Sequence, residues 1–110
     1  MKESRRDLRT IPQNKMLHCM FREILNHLID NGVKLPSGAK GEALVKSLCK
    51  RKLGSQMTIA GVGIDRPTSV YLTGNDPDYE ADDPRNRSMS SFIGRIAAWA
   101  SHDLNLYLEI

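Results

Sequence analysis

The longest run of patterned apolar positions predicts a helix. Adjacent apolar pairs recur every four residues from Met16 to Ile29, which is the spacing of one face of an α-helix. Pro12 suits the first turn, and Asn31 with Gly32 ends the pattern. At about 100° per residue, these side chains cover an arc of roughly 220°. One small core does not cover so wide an arc, so the pattern predicts that a second subunit buries part of this helix.

Two further helices are predicted on the same grounds. Residues 41–53 place four apolar side chains inward, namely Leu44, Val45, Leu48 and Cys49. Ser88 can cap a third helix that ends near Leu104. The apolar face of that helix comprises Met89, Phe92, Ile93, Ile96, Ala97, Ala100 and Leu104, and Trp99 falls at its edge.

Strands are predicted between and after these helices. Residues 57–64 and 68–73 are rich in β-branched residues and tyrosine, and a turn signal, residues 65–67, separates them. Gly61 and Gly63 predict a bulge or a close backbone approach, since a phosphate-binding glycine loop needs a longer motif that opens a helix. Residues 106–110 alternate and predict a short final strand. The predicted fold class is therefore α+β, with three main helices and a small antiparallel hairpin or sheet.

Composition favours one folded domain. The 110 residues are 40% hydrophobic and 26% charged, which is typical of a globular chain with one modest core. We divide the chain into a flexible basic arm, residues 1–9, and a single domain, residues 10–110. No apolar run is long enough for a membrane span, and we expect no secretory signal. Cys19 and Cys49 fit free thiols packed as small hydrophobic groups, so the prediction is a cytoplasmic location.

Charge is divided unevenly along the chain. Residues 1–52 hold 12 Lys and Arg against 5 Asp and Glu, whereas residues 53–110 hold 4 against 8. This asymmetry indicates a basic surface that can meet phosphates, although many domains are lopsided for no such reason. Lys46 and Lys50 lie one turn apart on the second helix and are candidate phosphate contacts. Lys40, Arg51 and Lys52 could follow a DNA backbone together with them, and a solvated helix face explains all five residues equally well.

The first helix begins with polar residues inside its apolar arc. Gln13, Asn14 and His18 project there at 100° per residue. One interpretation is structural: the amides bind loose backbone groups of the first turn, and His18 is a satisfied core histidine. The other is functional: these side chains line a groove that meets sugar, phosphate or base, and Arg9 and Lys15 supply charge.

This segment resembles the signature of the phage NinB (Orf) recombination proteins. The matching residues are Arg9, Thr10, Gln13, Asn14, Lys15 and Leu17. A second block, residues 87–100, resembles the final helix of that family in place and pattern. The two blocks have the order and spacing of the family and cover about a quarter of the chain. Only about nine residues precede the motif, and His18 stands where a Trp is usual, so we expect a shortened relative.

The resemblance implies a function and partners. It implies a non-catalytic recombination mediator that binds single-stranded DNA, forms an intertwined homodimer, works with the host single-strand-binding protein and needs no cofactor or metal. We expect it in the cytoplasm of the host cell. The candidate nucleic-acid contacts are Arg9, Gln13, Asn14, Lys15, His18, Lys46, Lys50, Arg85 and Arg87.

Two alternatives to this function stay open. The loop of residues 74–83 holds five carboxylates, those of Asp76, Asp78, Glu80, Asp82 and Asp83. Clustered carboxylates can hold Mg²⁺ for phosphodiester cleavage, which would make the protein a small metal-dependent nuclease. Such ligands usually sit on rigid elements with a base nearby, so a solvated loop is the simpler interpretation. Alternatively, the acidic loop and Trp99 form the contact surface for a host or defence protein.

Overall fold

The computed structural model describes the backbone of residues 2–108 and the side chains of residues 13–108. Its elements are α1 (Lys2–Asp30), α2 (Ala39–Leu53), β1 (Gln56–Ile59), β2 (Val62–Asp65), a short 3₁₀ turn (Thr68–Val70) and α3 (Met89–Asp103). The two strands form one antiparallel sheet. The predicted α+β class, with three main helices and a small antiparallel hairpin, is confirmed.

The core lies where the three helices meet. Helix α1 contacts both α2 and α3. The buried residues of its arc are Leu17, Met20, Phe21, Ile24 and Leu25, and Met16, Leu28 and Ile29 pack partly against the same core. The chain's own helices therefore cover the wide arc that predicted a second subunit. The homodimer stays a prediction, which now rests on the family resemblance.

The helical backbone of α1 begins at Lys2 and continues through Pro12. It therefore extends over the segment that the sequence assigned to a basic arm, in keeping with the helix-favouring Lys, Glu, Arg and Leu residues found there. Met1 lies outside the described residues, and the division of the chain at residue 9 stays a prediction. At the other end, residues 106–108 form no strand, and residues 109–110 lie outside the described residues.

Helix α2 has the predicted extent but a narrower buried face. Val45 and Cys49 are buried, and burial raises the pKa of the Cys49 thiol to about 12. Leu44 and Leu48 were predicted to point inward, yet they are 49% and 42% exposed. Each precedes a buried residue by one position, which turns its side chain about 100° away from the core. Cys19 is likewise exposed rather than packed, because it lies on the flank of α1.

The segment predicted as a single strand, residues 57–64, contains both strands of the hairpin except their outer ends, Gln56 and Asp65. Strands β1 and β2 pair in register from Gln56 with Asp65 to Ile59 with Val62. The two residues between the strands, Ala60 and Gly61, have φ angles of 52° and 79°. A tight two-residue hairpin turn needs positive φ at both positions, and glycine adopts it without strain. Of the two glycines predicted at a bulge or close approach, Gly61 is therefore a turn residue, and Gly63 lies within β2.

The second predicted strand, residues 68–73, does not join the sheet. Its first half forms the 3₁₀ turn, and Leu72 makes an isolated parallel bridge with Ser88. The segment packs on α3 instead. The Tyr71 ring is buried with its centroid 5.2 Å from that of Phe92. This contact holds the segment between the hairpin and α3.

Candidate nucleic-acid interface

Five cationic side chains meet in one cleft, which we call the basic cleft. Its volume is about 540 Å³, and it lies between the end of α2, the base of the hairpin and the loop before α3. The described residues that line it are Arg51, Lys52, Gly54, Ser55, Gln56, Arg66, Asp78, Tyr79, Pro84, Arg85 and Arg87. Only one of these carries a carboxylate, so the cleft favours an anionic ligand.

The floor of the basic cleft is the tight exit of the chain from α2. The Gly54 N–H donates to the Lys50 carbonyl at 3.0 Å and closes the helix. A Cβ on Gly54 would stand 2.6 Å from that carbonyl oxygen and 2.8 Å from the Tyr71 hydroxyl, so only glycine fits. The next residue, Ser55, is buried, and its N–H donates to the Tyr71 hydroxyl at 3.0 Å. The position of the floor is therefore set by backbone contacts.

Arg66 forms the wall of the cleft at the base of the hairpin. Its Nε donates to Ser55 Oγ at 3.0 Å, and its Nη2 donates to the Gln56 carbonyl at 3.2 Å. Within the described part of the chain, no carboxylate forms an ion pair with Arg66, Arg51 or Lys52. The charge of this wall is thus not neutralised by a neighbouring carboxylate.

Arginines organise the acidic loop. The buried carboxylate of Asp76 accepts from Nε and Nη2 of Arg87, at 3.0 and 3.1 Å, and from the Arg87 N–H at 2.8 Å. Asp83 binds Arg85 in the same way. These bonds hold the pKa of Asp76 well below its usual range and lower the pKa of Asp83 to about 2. Among the residues described, no group of three or more His, Cys, Asp or Glu side chains is placed to hold a metal ion.

Arg95 joins α3 to two walls of the site. The residue is buried, and its Nε donates to the Leu53 carbonyl at 2.7 Å. Its Nη1 donates to the Asp83 carbonyl at 3.1 Å and to Ser91 Oγ, and its Nη2 lies 3.4 Å from the Asn86 carbonyl. Burial lowers the pKa of this guanidinium. One side chain therefore fixes the end of α2, the acidic loop and the start of α3 relative to one another.

A second, more apolar groove of about 700 Å³ adjoins the basic cleft, and the two share Lys52 and Pro84. We call it the Trp99 groove. Its lining comprises Lys52, Leu53, Ala81, Asp82, Pro84, Gly94, Arg95, Ala98, Trp99, His102 and Asp103. Trp99 is half-buried. Tyr79 lies in the neighbouring cleft with the Arg85 guanidinium 4.7 Å above its ring. Aromatic rings beside cations are the usual elements of a single-strand binding surface.

A third cavity is lined in part by Tyr71. Its volume is about 320 Å³, and its described lining is Gln13, Asn14, Thr68, Ser69, Tyr71, Thr73 and Met89. We call it the hydroxyl pocket. The Oε1 atom of Gln13, one of these residues, is buried, and it has no hydrogen-bond partner in the described part of the chain.

The predicted site residues fall into separate groups. Arg85 and Arg87 line the basic cleft, and Gln13 and Asn14 line the hydroxyl pocket. Lys15 and His18 are exposed on α1, Lys46 and Lys50 are half-buried on α2, and these four line none of the three cavities. The exposure of His18 removes it from the core position that its place in the apolar arc suggested. Arg9 lies in α1, and its side chain is outside the described part.

Of the residues that line the basic cleft, sequence reasoning missed Arg66 and Tyr79, and it weighed Arg51 and Lys52 as backbone contacts without choosing them as site residues. Arg51 and Lys52 are explained in the sequence by their place in the last turn of a helix, where cations are favourable. Arg66 stands in a turn signal, and Tyr79 in the acidic loop, so neither marks a binding site by itself. The signal that remained was the run of three cations at residues 50–52, two positions before Gly54.

The fold and the cleft define a small α+β protein with a basic, partly aromatic surface. No protein-family model, curated protein or solved structure matches the chain. None of the described helices is both long and apolar enough to cross a bilayer.

Acid is expected to release the acidic loop from its arginines. The folded-state pKa values of Asp76 and Asp83 are lowered, so their contribution to stability is complete above the ordinary pKa of about 3.9 and is lost as the pH falls through the folded values. The thermal midpoint should therefore fall between about pH 4 and pH 2, and less so in Asp83→Asn. Circular dichroism melts across this range test the expectation. Equal slopes in variant and wild type would contradict it.

Proposed function

We propose that this protein binds single-stranded DNA without catalysing a reaction, as a recombination mediator of the phage type. The observation that supports it most is the continuity of the basic cleft with the Trp99 groove. The resemblance of residues 9–17 and 87–100 to NinB proteins supports the same function.

The phosphate contacts of the proposal come from the basic cleft. Arg51, Lys52 and Arg66 have no ion-pair partner among the described residues, so binding a phosphate displaces no carboxylate from them. Hydrogen bonds already hold Nε and Nη2 of Arg66, which leaves its Nη1 for an anion. A guanidinium held in place loses little side-chain entropy when it binds.

The preference for a single strand comes from the aromatic side chains. A half-buried indole in a groove can stack only on a base that has left its partner strand, and duplex DNA keeps its bases paired inside the helix. Tyr79 lines the basic cleft, which shares Pro84 with the Trp99 groove, and offers a second ring. A strand that follows the cleft would thus place phosphates on the cations and bases on the rings.

The rest of the proposal follows the family. It includes a homodimer, a location in the host cytoplasm and a contact with the host single-strand-binding protein. Lys46 and Lys50 on α2, and Lys15 and His18 on α1, are proposed as outlying contacts of the strand. The proposed function requires no cofactor.

A second candidate function is binding to another protein. The hairpin exposes Ile59 and Val62 at 55% and 61%, and Ile64 and Val70 are exposed nearby. Exposed apolar residues on one small element are typical of a partner contact. This candidate predicts that no salt-dependent binding of DNA is observed.

Fluorescence anisotropy with labelled oligonucleotides tests the proposal. We expect tighter binding of single-stranded than of duplex DNA. The double variant Lys52→Glu/Arg66→Glu should bind weakly, with a salt slope smaller by roughly 0.7 for each lost phosphate contact. The control is Lys34→Glu/Lys40→Glu, which makes the same change in net charge at exposed positions outside the three cavities.

Each other outcome points elsewhere. Equal losses in the cleft variant and the control would mean that only net charge matters. A loss in Lys46→Glu/Lys50→Glu with none in the cleft variant would place the strand on the exposed side of α2. Failure to bind any oligonucleotide, whatever the salt concentration, favours the protein-interaction candidate. Cleavage of DNA that requires Mg²⁺ favours the nuclease.

A further inference from the structure

The basic cleft adjoins two cavities. It shares Lys52 and Pro84 with the Trp99 groove. It also shares Asp78, Tyr79 and Arg85 with a further cavity of about 900 Å³, which we call the acidic cavity. The described lining of the acidic cavity comes from the segment of residues 75–91. A strand bound in the basic cleft can therefore continue in two ways, through the Trp99 groove or through the acidic cavity.

The two cavities differ in charge. The described lining of the acidic cavity carries four carboxylates, those of Asp76, Asp78, Glu80 and Asp83. Arg85 and Arg87 form ion pairs with three of them, so two cations stand against four anions and the net charge is negative. In the described lining of the Trp99 groove, two cations accompany two carboxylates. Because like charges repel, a phosphate is less favourable in the acidic cavity than in the groove.

The basic cleft holds more positive charge than one internal phosphate neutralises. Arg51, Lys52 and Arg66 form no ion pair within the described part of the chain. Asp78, the one carboxylate in the described lining, is bonded to Arg87. An internal phosphodiester carries one negative charge, whereas a phosphate at the end of a strand carries about −1.5 to −2 at pH 7 and exposes three oxygens. A terminal phosphate therefore matches the charge of the cleft better.

Three guanidinium groups of the cleft keep unused hydrogen-bond donors. Among the described residues, Nε and Nη2 of Arg66, Arg85 and Arg87 donate to protein acceptors, whereas Nη1 of each has no acceptor. Each Nη1 carries two N–H groups. These arginines can thus donate to phosphate oxygens and keep the bonds that position them, which lowers the entropy cost of binding.

We propose that the basic cleft binds the terminal phosphate of a DNA strand, and that the strand leaves through the Trp99 groove. The ligand is a phosphomonoester, which either the 5′ or the 3′ end of a strand can carry. A strand without an end in the cleft must also occupy the acidic cavity, where its phosphates meet the carboxylates. The inference rests on the proposed function for its strand.

Oligonucleotides of one sequence and different ends test this inference. The four forms, labelled internally, carry a 5′ phosphate, a 3′ phosphate, two hydroxyl ends, or no end because the strand is circular. In fluorescence anisotropy, we expect at least one phosphorylated form to bind roughly tenfold more tightly than the hydroxyl form, the effect of one charge-assisted hydrogen bond. The end that produces the gain identifies the ligand. Equal affinities for phosphate and hydroxyl ends would overturn the inference, and so would a circle that binds as tightly as the phosphorylated forms.

A double variant shows whether the gain arises in the basic cleft. Arg51→Met/Lys52→Met should lose most of the gain from a terminal phosphate, because it removes two exposed cations of the cleft. The control, Lys34→Met/Lys40→Met, makes the same change in net charge at exposed positions outside the four cavities and should keep the gain. An equal gain in both double variants would show that the terminal phosphate binds elsewhere.

Reversing one charge of the acidic cavity tests the route of the strand. Glu80 is exposed and forms no ion pair among the described residues. Glu80→Lys should tighten binding of the circle by about two- to fivefold and change binding of the phosphorylated form less. Glu23→Lys, at an exposed position of α1 outside the four cavities, is the control. If both variants changed binding of the circle alike, the acidic cavity would not direct the strand.

Thymidine monophosphates separate this inference from the proposed function. In the wild-type protein, the 5′ or the 3′ monophosphate should raise the thermal midpoint, and thymidine should not. If no oligonucleotide binds while a monophosphate still raises the midpoint, the proposed function is wrong and the phosphomonoester site is supported. If oligonucleotides bind whatever their ends and the monophosphates leave the midpoint unchanged, the inference is wrong and the proposed function is unaffected.

Discussion

Replacing Gly41 with alanine is expected to lower the thermal midpoint by roughly 8–16 °C, which corresponds to about 2 kcal/mol. Gly41 lies in the first turn of α2, where this helix meets α1. A Cβ there would stand 1.9 Å from the Pro36 carbonyl oxygen and 2.8 Å from a methyl group of the buried Leu25. Backbone and core must both move to admit it. That cost exceeds the gain of about 1 kcal/mol that alanine brings to a helix.

Gly94→Ala is the matched control for this prediction. Gly94 lies in α3, and a Cβ on it would meet no atom within 4 Å. The same change should therefore stabilise the protein by about 0.5–1 kcal/mol. Circular dichroism melts of the two variants suffice for the comparison. If Gly41→Ala melted at or above the wild-type temperature, α1 and α2 would not approach each other as described.

The helices could be predicted because their signals are local. The Ser88 hydroxyl accepts from the Ser91 N–H at 3.1 Å, as the capping pattern indicated, and α3 then ends one residue before the predicted Leu104. The buried face of α3 follows the predicted spacing from Met89 through Phe92 to Ala100. Periodicity and capping both depend on residues within four positions of one another.

The hairpin could be predicted only in part, because a turn and a bulge share the same residue type. Gly61 permits positive φ, and the sequence does not say whether the chain reverses there or only bends. The choice depends on whether residues 68–73 pair with the sheet, and in this structure Leu72 pairs with Ser88 instead. The inward orientation predicted for Leu44 and Leu48 was wrong for a related reason, since their exposure depends on which neighbour covers that flank of α2.

The basic cleft as a whole could not be predicted, although Arg85 and Arg87 were candidate contacts, because its parts lie far apart along the chain. Arg51 precedes the hairpin and Arg66 follows it, and the acidic loop reaches both only after the chain folds back. The sequence marks five acids in the loop but not that Asp76 is buried by Arg87, eleven positions away. Without that pairing the loop resembles a metal site or a solvated segment, and both alternatives stayed open for this reason.

Arg95→Met is expected to destabilise the protein on the order of 3 kcal/mol, because it leaves several buried acceptors without donors. The guanidinium donates to the carbonyls of Leu53 and Asp83 and to Ser91 Oγ. Each unsatisfied buried group costs about 1–3 kcal/mol, and the sum is not additive because they share one donor. The thermal midpoint should fall by more than roughly 10 °C.

Lysine at the same position distinguishes hydrogen-bond geometry from charge. Arg95→Lys keeps the positive charge, but one ammonium group at the end of a flexible chain cannot reach the Leu53 and Asp83 carbonyls in the directions that a planar guanidinium serves. We therefore expect Arg95→Lys to lose most of the stability that Arg95→Met loses. The exposed Arg51, changed to methionine, controls for loss of a surface charge and should shift the midpoint little. A lysine variant as stable as wild type would mean that charge, not the fixed guanidinium geometry, holds α2 and the acidic loop against α3.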